Sequence, residues 1–530
     1  MRIGAGVCAA LMGSALFGPA ALPLAMAQNN LPALGDSVSE DLPVAAERKL
    51  GDQIMREIRR DPDYSDDPVL QEYLESVWQP LVAQARRSGH IGIDTDDRFA
   101  WEAFLVRDRS VNAFALPGGY VGVHLGLIAM AAARDELASV LAHEMSHVTQ
   151  RHIARSISSS KRASMLSIAS MIVGVLVASR SGRSGGDVAN AAIAGGQALA
   201  AQGQLNFSRD MEREADRVGL QAMQGAGFAP GGMAAMFEKL DQTSRLNDSG
   251  GFPYLRSHPL TSERIGEARS RLGSLSLQAA LRANPIEHAI AQARARVLMD
   301  PRIDGLRRSQ SRSDGATLAE RLAAAYESAL ASTLLRDWPR ADSALASAAV
   351  LLRSEEAAKE PRAERALALL AAQSQIERGA ASRVPALIAP YAGERSRPVL
   401  LLAAQAALAQ LDTAALQRSA DDLQTWVALH GSDAQAWTLL SQSFNRLGQP
   451  LRAIRADAEA SLAVGDLQGA TDRLRAGQGR ARSGTANGAT RGAGASPVDF
   501  IDLSVIDARL REIEALRKQL MAETREPKPF

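Results

Sequence analysis

The sequence predicts a mainly helical protein in which an α+β domain with a small sheet precedes an array of helical repeats. Three observations carry this. Aromatic residues are only 4% of the 530 residues while alanine abounds, a composition of close-packed helices rather than of β-sandwiches. One short region, Trp101 to Val123, alternates and turns as strands do. From about 318 to 477 the pattern is almost continuously helical, with turn residues recurring along it. The length fits about two to four domains. Hydrophobic residues at 46% exclude wholesale disorder and a polytopic membrane protein. Lys+Arg (60) balance Asp+Glu (59), which argues against nucleic acid as a partner held by bulk charge.

Taken in order, residues 1–27 read as a secretory signal. Arg2 opens it, an apolar run from Ile3 to Leu24 follows, and Ala25-Met26-Ala27 is a cleavage triplet. The lone cysteine, Cys8, goes with it, leaving a mature chain without thiols that suits an oxidising compartment, the periplasm. Ala45 to Arg60 has Leu50, Ile54 and Ile58 at helical spacing. Asp66-Asp67-Pro68 starts a second helix through Trp78 and Leu81. Trp101 to Val106 is a strand, and Val111–Leu116, Pro117-Gly118-Gly119 and Tyr120–Val123 make a hairpin. Arg134 to Ser156 is one strong helix. The uncharged stretches Ala163–Ser179 and Val188–Phe207 read as a helical hairpin packed on the domain, with a membrane-surface contact through 163–207 as the lesser reading. Met211–Gln224 is helical, and 257–272 is a loop leading into a charged helix.

In the second half a turn residue is followed five positions later by a small one: Arg336/Ala341, Gly379/Val384, Gln410/Ala415, Gly448/Ala453 and Gly465/Ala470. The clearest unit is Trp437-x2-Leu440-x3-Phe444-x3-Gly448-x4-Ala453, close to the tetratricopeptide (TPR) pattern; a generic alanine-rich bundle is the plainer alternative. Residues 478–497, rich in Gly, Ser and Arg, read as a linker before a terminal helix. The expected organisation is a signal at 1–27, an α+β domain over 28–275, connecting helices over 276–317, repeats over 318–477, the linker over 478–497, and a helix over 498–530.

Seven of the eight histidines precede residue 290. His143-Glu144-Met-Ser-His147 is an H-E-x-x-H motif inside a helical pattern. At about 100° per residue the two imidazoles lie about 40° apart on one face, where they can share a metal, with Glu144 beside them as general base. A third ligand is available in Met211-Glu-Arg-Glu-Ala-Asp216. Glu212 and Asp216 share a face, so Glu212 can complete the site while Asp216 accepts the outer N–H of a ligand histidine. Spacing alone does not decide between Glu212 and Glu214, and the plainer reading is an acid-rich helix start.

Four segments together resemble the HtpX-type family of zinc metallopeptidases, a gluzincin group: Asn112-Ala-Phe-Ala-Leu-Pro-Gly-Gly119, the Asp135–His147 stretch, Ser208-Arg-x-x-Glu212-x-Glu-Ala-Asp216, and His258-Pro-x4-Arg264-Ile265. The signal and the helical second half make the chain most similar to the periplasmic protease-and-chaperone members of that family. The segment at 477–496 departs from them as an insertion. The resemblance implies a gluzincin-type domain, one Zn2+ per chain, Glu212 as the ligand, and pairing of an extended substrate along Asn112, Ala113, Phe114, Ala115 and Leu116. It also implies that His258 can occupy the open metal position and hold the enzyme latent; an ordinary histidine before Pro259 is the alternative. Arg264 is read either as an oxyanion stabiliser or as half of a structural ion pair, and Arg209 as structural. His152, about 180° from His143 on an unbroken helix, is not expected to be a ligand, and His124 is left open. The implied partners are unfolded or stalled outer-membrane proteins and their assembly machinery, reached through the repeat half. A repeat scaffold or chaperone with a latent peptidase is the competing function.

Overall fold

The computed structural model describes residues 42–159, 207–246, 254–272, 286–312, 315–353, 360–410, 412–486 and 497–525. The segment read as signal peptide, and the expected 163–207 hairpin except for Phe207, lie outside the described residues. Among those described, no helix is long and apolar enough to cross a membrane.

The first half is a small mixed sheet between helical layers. It comprises α1 (Val44–Arg59), β1 (Tyr64–Ser65), α2 (Pro68–Arg87), β2 (Glu102–Val106), β3 (Ala113–Leu116), β4 (Tyr120–His124), α3 (Leu125–Met130), α4 (Arg134–Thr149), α5 (His152–Ser159), α6 (Arg209–Gly225), α7 (Gly231–Leu246) and α8 (Ser262–Ser270). The sheet order is β1-β2-β4-β3. β2 and β4 are parallel, and β3 returns antiparallel to β4 with Ala113 opposite Val123 and Leu116 opposite Tyr120. β3 is therefore an edge strand. Leu50, Ile54 and Ile58 of α1 pack on Phe104, Val106, Leu116 and Tyr120 of one face. The other face, with Leu105, Val121 and Val123, shares the main core with Trp78, Leu81, Leu137 and Leu141.

Local chemistry sets the helix starts. Asp67 caps α2, accepting the Leu70 N–H at 2.9 Å ahead of Pro68 at the first turn. Ser208 caps α6 by accepting the Met211 N–H. Asp135 and Glu136 occupy the first turn of α4, where the helix dipole favours acids. α6 crosses α4 closely because residue 219 is glycine: a Cβ there would lie 3.0 Å from the Ala142 carbonyl oxygen.

One expectation is corrected. The helix expected over Arg134–Ser156 is two helices, broken at Arg151, which has φ +51°. Arg151 donates to the buried Glu47 carboxylate at 3.0 Å and to the Leu42 carbonyl, contacts that hold the left-handed residue in place.

The second half continues with α9 (Ile286–Leu298), α10 (Ile303–Gln310), α11 (Leu318–Leu334), α12 (Trp338–Leu351), α13 (Pro361–Glu377), α14 (Arg397–Ala409), α15 (Thr413–Leu429), α16 (Ala434–Arg446), α17 (Pro450–Ala463), α18 (Leu467–Ala486) and α19 (Pro497–Arg525). The chain is thus mainly α, with one small sheet. The recurring turns are real: Arg336, Gly379, Gly448 and Gly465 all adopt left-handed φ between +59° and +79°, the helix-ending conformation that glycine takes at least cost. Ala341, Val384, Ala453 and Ala470, five residues on, are buried at 0–1% exposure. Gln410 is the exception, with φ −103°. α18 runs on to Ala486, into the segment read as linker, where Ala481 packs on the cluster of Leu474, Ile506 and Leu510 and Gln478 donates to Asp507 of α19.

The helical second half closes onto the first at the Asp66-Asp67-Pro68 corner. Arg294 of α9 grips both Asp67 oxygens at 2.6 and 2.7 Å and reaches Tyr326 of α11. Arg397 of α14 bridges Asp66 and Asp433, and Arg365 of α13 holds Glu72.

Candidate metal centre

α4 and α6 carry three side chains to one buried point, and a fourth joins them from a turn. α4 presents His143 and His147 one turn apart, and α6 places Glu212 against both. His258, from the turn after the short helix Tyr254–Ser257, closes the fourth side. Each offers a ligand atom, and all four atoms lie within 4.8 Å of one another. The contacts are tighter still. His143 Nε2 is 3.0 Å from His147 Nε2 and 3.3 Å from His258 Nδ1. Glu212 is 3.4 Å from His143, 3.5 Å from His147 and 3.0 Å from His258. Four ligands about 2.0–2.1 Å from one tetrahedral ion stand about 3.3 Å apart, so the cluster has the dimensions of such a site.

The donor set fits a first-row divalent metal. Neutral imidazoles gain little from facing each other, the buried Glu144 Oε1 has no hydrogen-bond partner, and Glu212 Oε2 meets the Arg264 guanidinium at 2.8 Å without a well-aligned hydrogen bond. Electrostatics point the same way. Burial would lower the His143 pKa, but Asp216 and Glu212 outweigh it and raise it to about 10. A field that draws a proton there also draws a metal cation. Burial, and next the charge of His143, press His147 well below the ordinary histidine value. Burial opposes ionisation of Glu212, yet His258 and His143 hold its pKa below the usual carboxylate range. Burial raises Glu144, as a general base needs, partly offset by His258 and His143.

A second layer orients the histidines. Asp216 Oδ1 is 2.9 Å from His143 Nδ1, which fixes the tautomer with the Nε2 lone pair turned inward. Arg264 clasps Asp216 at 2.6 and 2.8 Å, lies 2.8 Å from Glu212, and donates to the Pro259 carbonyl. Its guanidinium is thus engaged in an ion pair with both carboxylates. The break at Arg151 swings His152 beneath His147: Nδ1 to Nδ1 is 2.9 Å, and His152 Nε2 is 3.1 Å from Glu214, itself held by Arg155 at 3.0 Å. One proton order satisfies the chain, with His147 Nδ1–H donating to His152 and His152 Nε2–H donating to Glu214. Glu214 thus belongs to the outer layer and Glu212 to the cluster.

His152 is not one of the four clustered residues, in keeping with the expectation that it is no ligand, but its place behind His147 was missed because its rotation was counted along an unbroken helix. Sequence reasoning also missed two rings. Phe207 stacks on His147 at 3.9 Å between centroids, and Tyr254 stacks on His258 at 4.7 Å. Nothing in the spacing marked either. His124 stands apart, facing Ser110 at 2.9 Å, and Arg209 is exposed at the start of α6. The edge strand lies against the centre, with Ala115 N–H donating to Glu144 Oε2 at 3.0 Å. Asn112 accepts the His124 N–H through its carbonyl, while its own Oδ1 is buried without a partner.

With this geometry in view, the likenesses to known proteins are specific. Residues 68–272 match Peptidase family M48. A Vibrio cholerae protein is 38% identical over 250 residues, covering 47% of this chain and 49% of its own. The Beta-barrel assembly-enhancing protease of Escherichia coli (strain K12) is 34% identical over 267 residues, 50% of this chain and 52% of its own. The Mitochondrial metalloendopeptidase OMA1 of Schizosaccharomyces pombe is 29% identical over 231 residues, 43% and 64% respectively. The chain spans about half the length of the bacterial relatives it matches. The match bears out the resemblance read from the motifs.

Proposed function

We propose, from the Peptidase family M48 domain that residues 68–272 form, that this chain is a zinc-dependent endopeptidase of the periplasm. It assists assembly of outer-membrane proteins and degrades misassembled ones. The repeat helices over 318–477 recruit the client or the assembly machinery, working beside a catalytic domain over 28–275. The observation that carries the chemistry is the convergence of His143, His147, Glu212 and His258 within 4.8 Å, with Glu144 beside them. The client class rests on the printed name of the Escherichia coli relative. The compartment rests on the signal-like residues 1–27 and a mature chain without cysteine.

In this reading His143, His147 and Glu212 hold the metal, and Asp216 and His152 fix the two imidazoles. Bound zinc supplies a Lewis acid for the scissile carbonyl and lowers the pKa of the attacking water. Glu144 takes that water's proton and delivers it to the leaving amine. A substrate strand adds to the free edge of β3, where its backbone competes with Glu144 for the Ala115 N–H.

Two contacts favour a latent resting state and, with it, the scaffold-first reading. His258 fills the fourth corner of the cluster, and its Nε2 lies 3.4 Å from Glu144 Oε1. Both positions are ones that water and substrate need. Zinc content and casein cleavage of purified Glu144→Gln test the mechanism. One zinc retained with cleavage reduced about 10³-fold is expected; retained proteolysis would contradict it.

A further inference from the structure

A cleft of about 670 Å³ opens where the peptidase domain meets α9 and α10. Arg109 enters it from the β2–β3 loop, Arg296 from α9, Arg307 and Arg308 from α10, and Arg312 from beyond it. Asp300 and Glu327 are its acids. Both acids are nearly buried and already committed. Asp300 pairs with Arg308 at 2.8 Å, with Arg302 at 2.7 Å and with Arg109 at 3.4 Å. Glu327 pairs with Arg296 at 2.8 Å and touches Arg312 at 4.0 Å. Arg307 is exposed and pairs with no carboxylate among the described residues. Five guanidinium groups over two neutralised acids leave a surplus of positive charge at the rim, spread rather than focused on one point. That suits carboxylates spaced along an extended chain better than a single compact anion.

The place of the cleft suggests which chain. Arg109 lies three residues before Asn112, where the edge segment begins. Its loop is pinned at the end of the sheet where β3 starts and β4 stops. The Gly126 N–H donates to the Asp108 carbonyl at 2.9 Å, and the Arg109 carbonyl lies against Gly126. A strand added antiparallel to β3 enters beside Leu116 and leaves past Ala113, on the side of Arg109. We infer that this arginine cleft is a specificity subsite that binds carboxylates of the substrate segment C-terminal to the part paired with β3. The inference rests on the peptidase reading above and deepens it by naming a substrate feature.

Fluorescence anisotropy on full-length, zinc-loaded Glu144→Gln tests binding independently of cleavage. The probes share one apolar extended core, followed by Glu-Glu or Gln-Gln, or preceded by Glu-Glu. The peptide with trailing glutamates should bind about tenfold more tightly than its Gln-Gln counterpart at low salt, and the advantage should shrink as salt rises. Leading glutamates should give no advantage. Adding Arg307→Glu and Arg312→Glu, both exposed positions, should reduce the preference below about threefold. A free against an amidated C-terminus separates side-chain from terminal carboxylates as its source. Equal affinity for trailing Glu-Glu and Gln-Gln overturns the subsite. So does a preference that survives both arginine substitutions, or one shown equally by leading glutamates. Cleavage by the wild type is scored separately. Both peptides cut with no binding preference contradicts the subsite and leaves the peptidase reading standing; a preference without cleavage does the reverse.

Discussion

Around α4 and α6 the protein buries Glu144, Glu212, Asp216, Arg264 and four histidines in one contiguous network. The helical second half instead fills its cores with alanine and leucine, such as Ala323, Ala329, Ala348 and Ala363 in one cluster and Ala404, Ala420, Leu423 and Ala456 in another. In the first region the polar groups are held by a few specific partners, such as Asp216 between His143 and Arg264, so a shift of an ångström dismantles the arrangement. In the second, small apolar residues set how closely helices approach, and any one contact is a minor share of the whole. Chemistry is therefore concentrated in few side chains of one half, while the other half offers shape. The seam between them is where the contrast can be broken most severely.

Arg294→Ala should have the largest effect on stability. It removes the guanidinium that ties Asp67 of the first half to Tyr326 and Gln373 of the second, and leaves Asp67 without its cation in a largely buried place. A loss of about 3–5 kcal/mol in urea unfolding is expected. A change below about 1 kcal/mol would mean that the two regions stand independently.

Next comes a pH effect at His288 of α9, which faces the Ala131 carbonyl at 2.9 Å and the Tyr73 hydroxyl. Burial lowers its pKa from 6.5 to about 4, only partly opposed by that carbonyl. Between those values the unfolded chain binds more protons than the folded one. The stability from this group is therefore complete above pH 6.5 and lost as pH falls toward 4, by about 3 kcal/mol at most. Unfolding curves of wild type and His288→Gln across that window should converge as the pH falls; parallel curves would refute it.

The smallest effect sharpens the picture inside the site. His152→Ala removes the outer partner of His147 without touching the cluster, and should weaken zinc binding about 10–100-fold in chelator competition. Unchanged affinity would show that the helix break at Arg151 serves packing alone.

Much of this was legible in the sequence, for reasons that differ by region. Helical spacing puts His143 with His147, and Glu212 with Asp216, on common faces almost without tertiary help; the choice of Glu212 over Glu214 came from the family resemblance, and the structure brings these residues together. The turns at Gly379, Gly448 and Gly465 were legible because left-handed backbone selects glycine. Arg336 shows the limit, taking the same conformation without that marker. His152 was misplaced because the break depends on Glu47, a residue from a distant helix. The seam at Asp66-Asp67 read only as a helix start, since the arginines that pair with it lie hundreds of residues downstream. The stacking of Phe207 and Tyr254 on the histidines is likewise a product of tertiary packing.

The central claim, a four-cornered metal centre held latent by His258, is tested most directly by casein cleavage of zinc-loaded wild type beside His258→Ala, with zinc content measured on the same samples. One zinc in both proteins and cleavage at least about tenfold faster in the variant is the predicted result, since the variant frees the fourth position for water. A variant that keeps its zinc and cleaves no faster, or a wild type that binds no zinc, would contradict the account.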